Sequence, residues 1–250
     1  MIYGVFSDVH SNLEALTQVL EFFQATKVDA YLCCGDLVGY GPQPNECLAR
    51  IRRLKNLTAI CGNHDLAAIG RMDLNWFNPY AREAVLWTRE QLSQDERSFL
   101  EGLSAKIERS EFTLAHGSPR KPPEEYLLSV SQFRDNIPHV RAWPLFIGHS
   151  HMPLCFKVSE GPKGKIQAFF LEDQQEVELG RGQGQLPIAF NPGSVGQPRD
   201  QDSRASCALY DSKEGTFRMI RLPYDIPAVQ AKIRKAGLPE FLALRLAFGR

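Results

Sequence analysis

Residues 2–16, IYGVFSDVHSNLEAL, change from strand to helix periodicity and decide the fold class. IYGVF (2–6) is a short apolar run typical of a buried strand. Five apolar residues then recur at helical spacing: Leu13, Leu16, Val19, Leu20 and Phe23. The same order of strand and helix repeats with AYLCC (30–34) and a helix from about Asn45 to Leu54, and again with LTAI (57–60) and helical segments through Leu103. This alternation predicts a largely parallel α/β sheet with right-handed crossovers.

The second half of the chain contains short apolar runs separated by turn signals, and it predicts an antiparallel, strand-rich region. Nine candidate strands lie at 106–109, 112–115, 145–147, 154–158, 166–170, 176–179, 188–190, 205–210 and 216–222. GPKGK (161–165) and GRGQGQ (180–185) are typical of loops. Residues 225–250 predict two helices broken at Gly237-Leu238-Pro239. We expect a single domain over 1–250, with 225–250 packed on it as a helical extension.

Composition excludes several classes of protein. The 29 basic residues balance the 29 acidic ones, so there is no basic excess of the kind that binds nucleic acid through phosphates. The first residues lack the features of a signal peptide, and no apolar segment approaches the ~20 residues that cross a bilayer. The six cysteines form no C-x-x-C pair and lie mostly in apolar runs, which favours reduced core cysteines. We therefore expect a cytoplasmic protein with no membrane partner.

The histidines indicate where chemistry occurs. Five of the six follow the end of a predicted strand, together with acidic and amide side chains. The candidate ligands in chain order are Asp8, His10, Asp36, Asn63, His64, Asp65, His116, His149 and His151. Open α/β sheets bind ligands at this edge. Gly35, Gly62 and Gly148 each precede a candidate ligand, which suits turns where the backbone passes close to an ion.

This set of donors suits a site for two metal ions. Two ions about 3.5–4 Å apart neutralise a phosphate ester, generate hydroxide near neutral pH and stabilise the transition state. A carboxylate such as Asp36 has two oxygens and can bridge the ions. Nitrogen and oxygen ligands without thiolate favour Mn, Fe, Co, Ni or Zn over softer metals.

The ordered motifs D-x-H, G-D, G-N-H-D, H and G-H-x-H across residues 8–151 resemble the calcineurin-like metallophosphoesterase superfamily. DVHSNLEAL, CGDLVGYGPQPNEC and NPGSVGQPRD are similar to its smaller bacterial and archaeal phosphodiesterase-like branch. The resemblance implies a four-layer α/β/β/α sandwich of two mixed sheets with helices outside. It also implies that Asp8, His10, Asp36 and His151 hold one ion, and that the other ion is held by Asp36, Asn63, His116 and His149. The implied cofactor is a pair of divalent ions, with Mn preferred.

The same resemblance places His64 outside the direct metal ligands, where it donates a proton to the leaving oxygen or stabilises charge on the phosphoryl group. As a hypothesis, Asp65 or another carboxylate orients His64. A further metal ligand or a solvated loop residue is the alternative for His64.

Three features near these motifs have two interpretations each. Ser11-Asn12-Leu13-Glu14 fits a capping box that starts the first helix, so Asn12 contacts either substrate or solvent. Arg199 and Arg204 either form a phosphate fork or belong to a solvated turn, and the departure of QDSRASCAL from the family pattern weakens the role of Arg204. The aromatic residues of 76–80 either line the pocket or form a core cluster.

The function that we expect is hydrolysis of a small phosphoester, with diesters favoured over monoesters, by metal-bound hydroxide and without a covalent phosphoenzyme. Cyclic nucleotides, dinucleoside polyphosphates and phosphoproteins all fit the spacing. The alternatives are a phosphomonoesterase on the same site and a non-catalytic metal-binding interaction module. We expect no nucleic-acid partner except a nucleic acid that serves as substrate. The sequence does not decide whether the protein forms a homo-oligomer.

Overall fold

Residues 1–159, 164–179 and 186–250 are described by the structure, a computed structural model. Most of the turn signal at 161–165 and all of that at 180–185 lie outside these residues. The strands are β1 (Ile2–Phe6), β2 (Ala30–Cys33), β3 (Leu57–Ala59), β4 (Lys106–Glu108), β5 (Thr113–Ala115), β6 (Leu145–Phe146), β7 (Pro153–Val158), β8 (Ile166–Phe170), β9 (Glu176–Glu178), β10 (Ile188–Pro192), β11 (Ala205–Asp211) and β12 (Thr216–Leu222).

Eight α-helices accompany the strands in the described part of the chain. They are α1 (Leu13–Thr26), α2 (Pro44–Arg52), α3 (Asn63–Ala68), α4 (Pro79–Gln91), α5 (Gln94–Glu101), α6 (Val130–Asn136), α7 (Ile226–Lys235) and α8 (Glu240–Leu244). Short 3-10 helices span Leu74–Trp76, Ile137–His139 and Arg245–Phe248. Every helix in the described ranges is too short or too polar to span a membrane.

The strands form two six-stranded mixed sheets. The first sheet has the order β3-β2-β1-β11-β12-β9, and the second has the order β4-β5-β6-β10-β7-β8. In the first sheet β1, β2 and β3 are parallel, as the strand and helix alternation predicts, and β11 pairs antiparallel with β1. The two mixed sheets and their helices confirm the predicted fold class.

One prediction about the second half is wrong. The pairs β5–β6 and β6–β10 are parallel, so this region is not antiparallel throughout. The reason is that the long connection between β5 and β6, which contains α6, returns the chain to the same end of the sheet, as parallel pairing requires.

Apolar side chains fill the space between the sheets and beneath the helices. Phe190 of β10 and Phe217 of β12 stack across the two sheets with ring centroids 4.1 Å apart. On the outer faces, Phe23 of α1 packs against Phe6, and Phe133 of α6 stacks on Phe156. All are buried, and each such side chain stabilises the fold by about 2 kcal/mol. The layers therefore run helix, sheet, sheet, helix.

The final helices cover one side of this sandwich. Val229 and Ile233 of α7 and Leu242 of α8 are buried in a cluster with Ala84 of α4 and the Tyr40 ring. The two helices are separated at Gly237, which has a positive φ of 71°, so the predicted break is confirmed. This packing brings the end of the chain next to the turn that follows β2.

Candidate metal centre

The turns after five strands bring the predicted donors to one edge of the sandwich. Asp8 and His10 follow β1, Asp36 follows β2, Asn63 begins α3 after β3, His116 follows β5, and His149 and His151 follow β6. Asp8, His10, Asp36 and His151 form one group, and Asp36, His116 and His149 form another, with the donor atoms of each group within 4.8 Å of one another. All of these side chains are buried. The two groups contain the members of the two sets named from the sequence apart from Asn63, and they share Asp36.

Asp36 divides its two oxygens between the backbone and the cluster. Its Oδ1 accepts the backbone N–H of His64 at 2.8 Å. Its Oδ2 lies 3.6 Å from His10 Nε2 and 3.3 Å from His116 Nε2. Within the described residues, this buried oxygen has no hydrogen-bond partner. Oδ2 is thus the atom that both groups can share.

Backbone carbonyls orient three of the imidazoles. The contacts are His10 Nδ1 to Val38 O at 3.0 Å, His116 Nδ1 to Cys34 O at 2.7 Å and His151 Nδ1 to Gln197 O at 2.6 Å. With the proton on Nδ1, each ring directs its Nε2 lone pair into the cluster, as ligating histidines do. His10 Nε2 and His151 Nε2 face each other at 3.1 Å. Two lone pairs at this separation repel, and a shared cation converts the repulsion into coordination.

The second group has the same chemistry. His149 Nε2 is buried without a hydrogen-bond partner in the part of the chain that the structure describes. Asn63 Oδ1 lies 3.1 Å from His116 Nε2, which brings a neutral amide oxygen to the same point. These donors are nitrogen and oxygen without thiolate, so the residues fit two divalent ions of the first transition row.

The backbone of the donor turns is strained. Five of the seven residues in the two implied sets have positive φ: Asp8 (54°), His10 (47°), Asp36 (53°), His149 (68°) and His151 (60°). Non-glycine residues rarely adopt this conformation, and such strain clusters at functional sites. The surrounding structure thus holds these five residues in a backbone conformation that an unconstrained loop would rarely adopt.

Electrostatics leaves most of the imidazoles neutral. Burial lowers the pKa of His149 to about 3 and holds the pKa values of His10 and His151 well below their ordinary range. Burial opposes protonation of His116 too, but the Asp36 carboxylate overcomes it and raises the pKa of His116 to about 9. His10, His149 and His151 therefore offer free lone pairs at neutral pH, whereas a cation has to displace a proton from His116.

His64 lies beside the first group. Its ring centroid is 4.8 Å from that of His10, 4.4 Å from that of Tyr40 and 4.9 Å from that of Phe77. Burial lowers the pKa of His64 to about 4, so the ring is neutral at pH 7. A neutral imidazole can still donate an N–H hydrogen bond.

Asp65 does not orient His64 as hypothesised. Its Oδ1 accepts the backbone N–H groups of Leu37 (2.9 Å) and Val38 (3.0 Å), and its Oδ2 accepts that of Gly62 (2.9 Å). Within the described residues, the Asp65 carboxylate forms no hydrogen bond with the His64 ring. Asp65 instead connects the turn after β2 to the turn after β3, because its two oxygens accept backbone N–H groups from both turns.

The start of α1 also differs from the prediction. Asn12, not Ser11, is the N-cap: its Oδ1 accepts Ala15 N–H at 3.1 Å. Ser11 has φ 55°, whereas an N-cap residue adopts an extended conformation. The Asn12 amide nitrogen donates to Gly196 O at 3.0 Å. Both ends of this buried amide are occupied, so the structure favours a structural role for Asn12 over contact with substrate.

The two arginines of the 191–204 region separate. Arg199 Nη2 donates to the Tyr40 hydroxyl (3.3 Å) and to Gln197 Oε1 (3.0 Å), next to the His10 and His64 rings. Arg204 instead forms ion pairs with Asp202 at 2.7 Å and Asp173 at 2.8 Å. Only Arg199 stays a candidate for binding phosphate.

Two aromatic residues of the site were not identified from the sequence. Tyr40 packs its ring against His10 and His64, and Tyr126 stacks on His149 with centroids 3.8 Å apart. Tyr40 lies inside GDLVGYGP, where the glycines on both sides are a usable signal. Tyr126 lies in a polar, proline-rich loop that carries none. Of the cluster at 76–80, only Phe77 contacts the site, whereas Trp76 and Tyr80 are largely exposed.

Comparison with known proteins agrees with this geometry. Residues 1–215 match the profile of the calcineurin-like phosphoesterase superfamily domain. The chain belongs to this superfamily. An uncharacterized protein of Methanocaldococcus jannaschii is 38% identical over 258 residues, spanning 99% of this chain and 98% of the relative.

Two solved structures are similar along the whole chain. The metallophosphoesterase from Sphaerobacter thermophilus has 39% identity and a TM-score of 0.88, covering 100% of this chain and 99% of its own. A hypothetical protein from Pyrococcus horikoshii OT3 has 20% identity and a TM-score of 0.80, covering 100% of this chain and 98% of its own. The second shows the shared fold. The match to the calcineurin-like phosphoesterase superfamily confirms the resemblance that the motifs indicate.

Proposed function

We propose that this protein hydrolyses phosphodiesters at a site for two divalent ions. The observation that carries the proposal is the pair of buried donor groups joined by Asp36, whose Oδ2 is within 3.6 Å of an imidazole from each group. The ions would supply Lewis acidity, neutralise phosphate charge and lower the pKa of water. The chain belongs to a phosphoesterase superfamily, which supports this reaction class.

The residues around the ions have separate tasks. Asp8, His10, Asp36 and His151 would hold one ion, and Asp36, Asn63, His116 and His149 would hold the other. Arg199 would bind a non-bridging phosphoryl oxygen, because its guanidinium carbon lies 5.8 Å from the centre of the Tyr40 ring, which packs against His10 and His64. His64 donates an N–H hydrogen bond to the phosphoryl group as a neutral imidazole, since its lowered pKa leaves little of the acid form at pH 7.

We propose manganese as the ion to test first; the nitrogen and oxygen donors accept Fe, Co, Ni and Zn as well. We also propose that the protein acts in the cytoplasm as one domain over 1–250, with 225–250 as a helical extension. All six cysteines are buried and free, which supports a reducing compartment. The preference for diesters is supported by the similarity of DVHSNLEAL and NPGSVGQPRD to the phosphodiesterase-like branch.

The experiment is Mn-dependent hydrolysis of methyl 4-nitrophenyl phosphate beside 4-nitrophenyl phosphate. We expect faster cleavage of the diester, lost in Asp36→Asn together with bound metal. Faster cleavage of the monoester would replace the diester assignment with a phosphatase. Bound metal without turnover of either ester would contradict the enzyme and favour an interaction module.

His64 has its own test. As a hydrogen-bond donor to the phosphoryl group, His64→Ala should lower kcat by about 100-fold for esters with good and with poor leaving groups alike. A defect confined to poor leaving groups would show that His64 transfers a proton instead. An unchanged kcat for both would contradict any role in the reaction.

A further inference from the structure

A cavity of about 500 Å³ has Arg199 in its lining, the residue that also contacts Tyr40 next to the candidate metal ligands. Its walls come from Met152, the residue after His151, from the end of β8 and its following turn, from residues 199–202, and from the end of β12. This volume lies in the range of pockets that bind small organic molecules. The cavity thus has room for a substituent of the phosphate as well as for the phosphate itself.

Arg199 connects the cavity to the metal groups. It lines the cavity, yet its Nη2 bonds the Tyr40 hydroxyl, and the Tyr40 ring centroid is 4.7 Å from that of His10. Its backbone N–H donates to His151 O at 3.3 Å. Arg199 Nε is buried and without a hydrogen-bond partner among the described residues. A phosphoryl group that contacts Arg199 would then have the cavity within reach of one ester substituent.

The cavity has one aromatic wall. The Phe170 side chain at the end of β8 is 62% exposed, a large fraction for a phenylalanine, and buried Leu171 lies next to it. No ring stacks on Phe170 in the described residues. A flat group that enters the cavity can thus stack on Phe170, an interaction that every nucleobase makes.

The rest of the cavity lining is rich in hydrogen-bond acceptors. Asp200 Oδ2 pairs with Arg221, whereas its Oδ1 is buried and unpartnered within the described part of the chain. Four carboxylates line the cavity against two guanidinium groups: Glu172, Asp173, Asp200 and Asp202 against Arg199 and Arg221. Arg204, outside the lining, pairs with Asp173 and Asp202, so one negative charge stays unbalanced. This excess of negative charge disfavours a second phosphate. It suits a neutral group with hydroxyl and amino donors.

We propose that the cavity binds a nucleoside, so that the substrate is a nucleoside phosphodiester with its base on Phe170 and its hydroxyl and amino groups toward the carboxylates. The assignment rests on the proposed phosphodiesterase function. It favours small nucleotide diesters over phosphoproteins and over chains of several phosphates.

The test compares two diesters with the same leaving group, adenosine 5′-(4-nitrophenyl phosphate) and methyl 4-nitrophenyl phosphate, under Mn. We expect kcat/KM to be at least about 10-fold higher for the adenosine ester. Phe170→Ala should lower this preference about 10-fold and leave the methyl ester unchanged. Phe170→Tyr should retain it. Phe248→Ala is the matched control, since Phe248 is 63% exposed but lies outside the cavity.

Hydrolysis of the methyl ester without a preference for adenosine, or equal losses for both esters in Phe170→Ala, would overturn the cavity assignment and leave the phosphodiesterase intact. If neither ester turns over, the proposed function fails, and calorimetry with adenosine 5′-methylphosphonate tests the cavity alone. Binding weakened about 10-fold by Phe170→Ala would support the nucleoside site. Equal or undetectable binding in both proteins would overturn it.

Discussion

The substitution Gly62→Ala should weaken metal binding while the protein still folds. Gly62 has φ −101° and ψ −175°, an extended conformation that alanine adopts without strain. An added Cβ would nevertheless lie 2.0 Å from Asp36 Oδ1 and 2.6 Å from Asp36 Cγ. Because an ordinary contact needs 3.4 Å, the carboxylate has to move by roughly 1.4 Å. The same methyl group would also approach the Asp36 backbone nitrogen to 2.6 Å, so the whole turn shifts.

Overpacking of this kind costs about 1–3 kcal/mol of stability, and a displacement of about 1 Å at a reacting centre lowers the rate about 100-fold. The assay measures bound Mn after dialysis, the thermal midpoint and diester hydrolysis. We expect a midpoint lowered by roughly 2–12 °C, with most of the metal and activity lost. Gly102→Ala is the control, since its Cβ would meet nothing closer than 3.5 Å. Wild-type metal content and rate in Gly62→Ala would refute the reasoning.

Two further predictions concern the support of the site and its protons. Asp65→Asn replaces a carboxylate that accepts three backbone N–H groups, so at pH 8 we expect a loss of about 2–4 kcal/mol in the free energy of unfolding by urea; a loss below about 0.5 kcal/mol would count against it. Because the pKa of His116 is raised to about 9, its proton competes with metal below that pH. The apparent Mn affinity measured by calorimetry should then rise about tenfold from pH 7 to 8 and about fivefold more from pH 8 to 9, and a flat profile would contradict this competition.

The grouping of the candidate ligand residues was predictable because each follows a strand, and parallel strand ends meet at one edge regardless of how the rest of the chain packs. The neighbours of those ligands were not. Asp65 looks like the partner of His64 from its position in the chain, but its oxygens are nearer to backbone donors of two turns. Ser11 fits a capping box, yet its positive φ moves the cap to Asn12.

Long-range packing also determines the direction of β6 and the environment of the two arginines, so local sequence patterns did not predict either. The parallel pairing of β6 depends on the path of the long segment before it, which no local periodicity encodes. The contrast between Arg199 and Arg204 depends on two carboxylates, Asp202 nearby in the sequence and Asp173, which is 31 positions from Arg204. The cavity is likewise assembled from four separate segments, so it emerges only when the two sheets are packed.

The most direct test of the two-ion site is the anomalous difference density of Mn in crystals of the wild-type protein. We expect two peaks in each chain, one among Asp8, His10 and His151 and the other among Asn63, His116 and His149, both adjacent to Asp36. A single peak, or no peak at saturating Mn, would contradict a site in which Asp36 joins two ions.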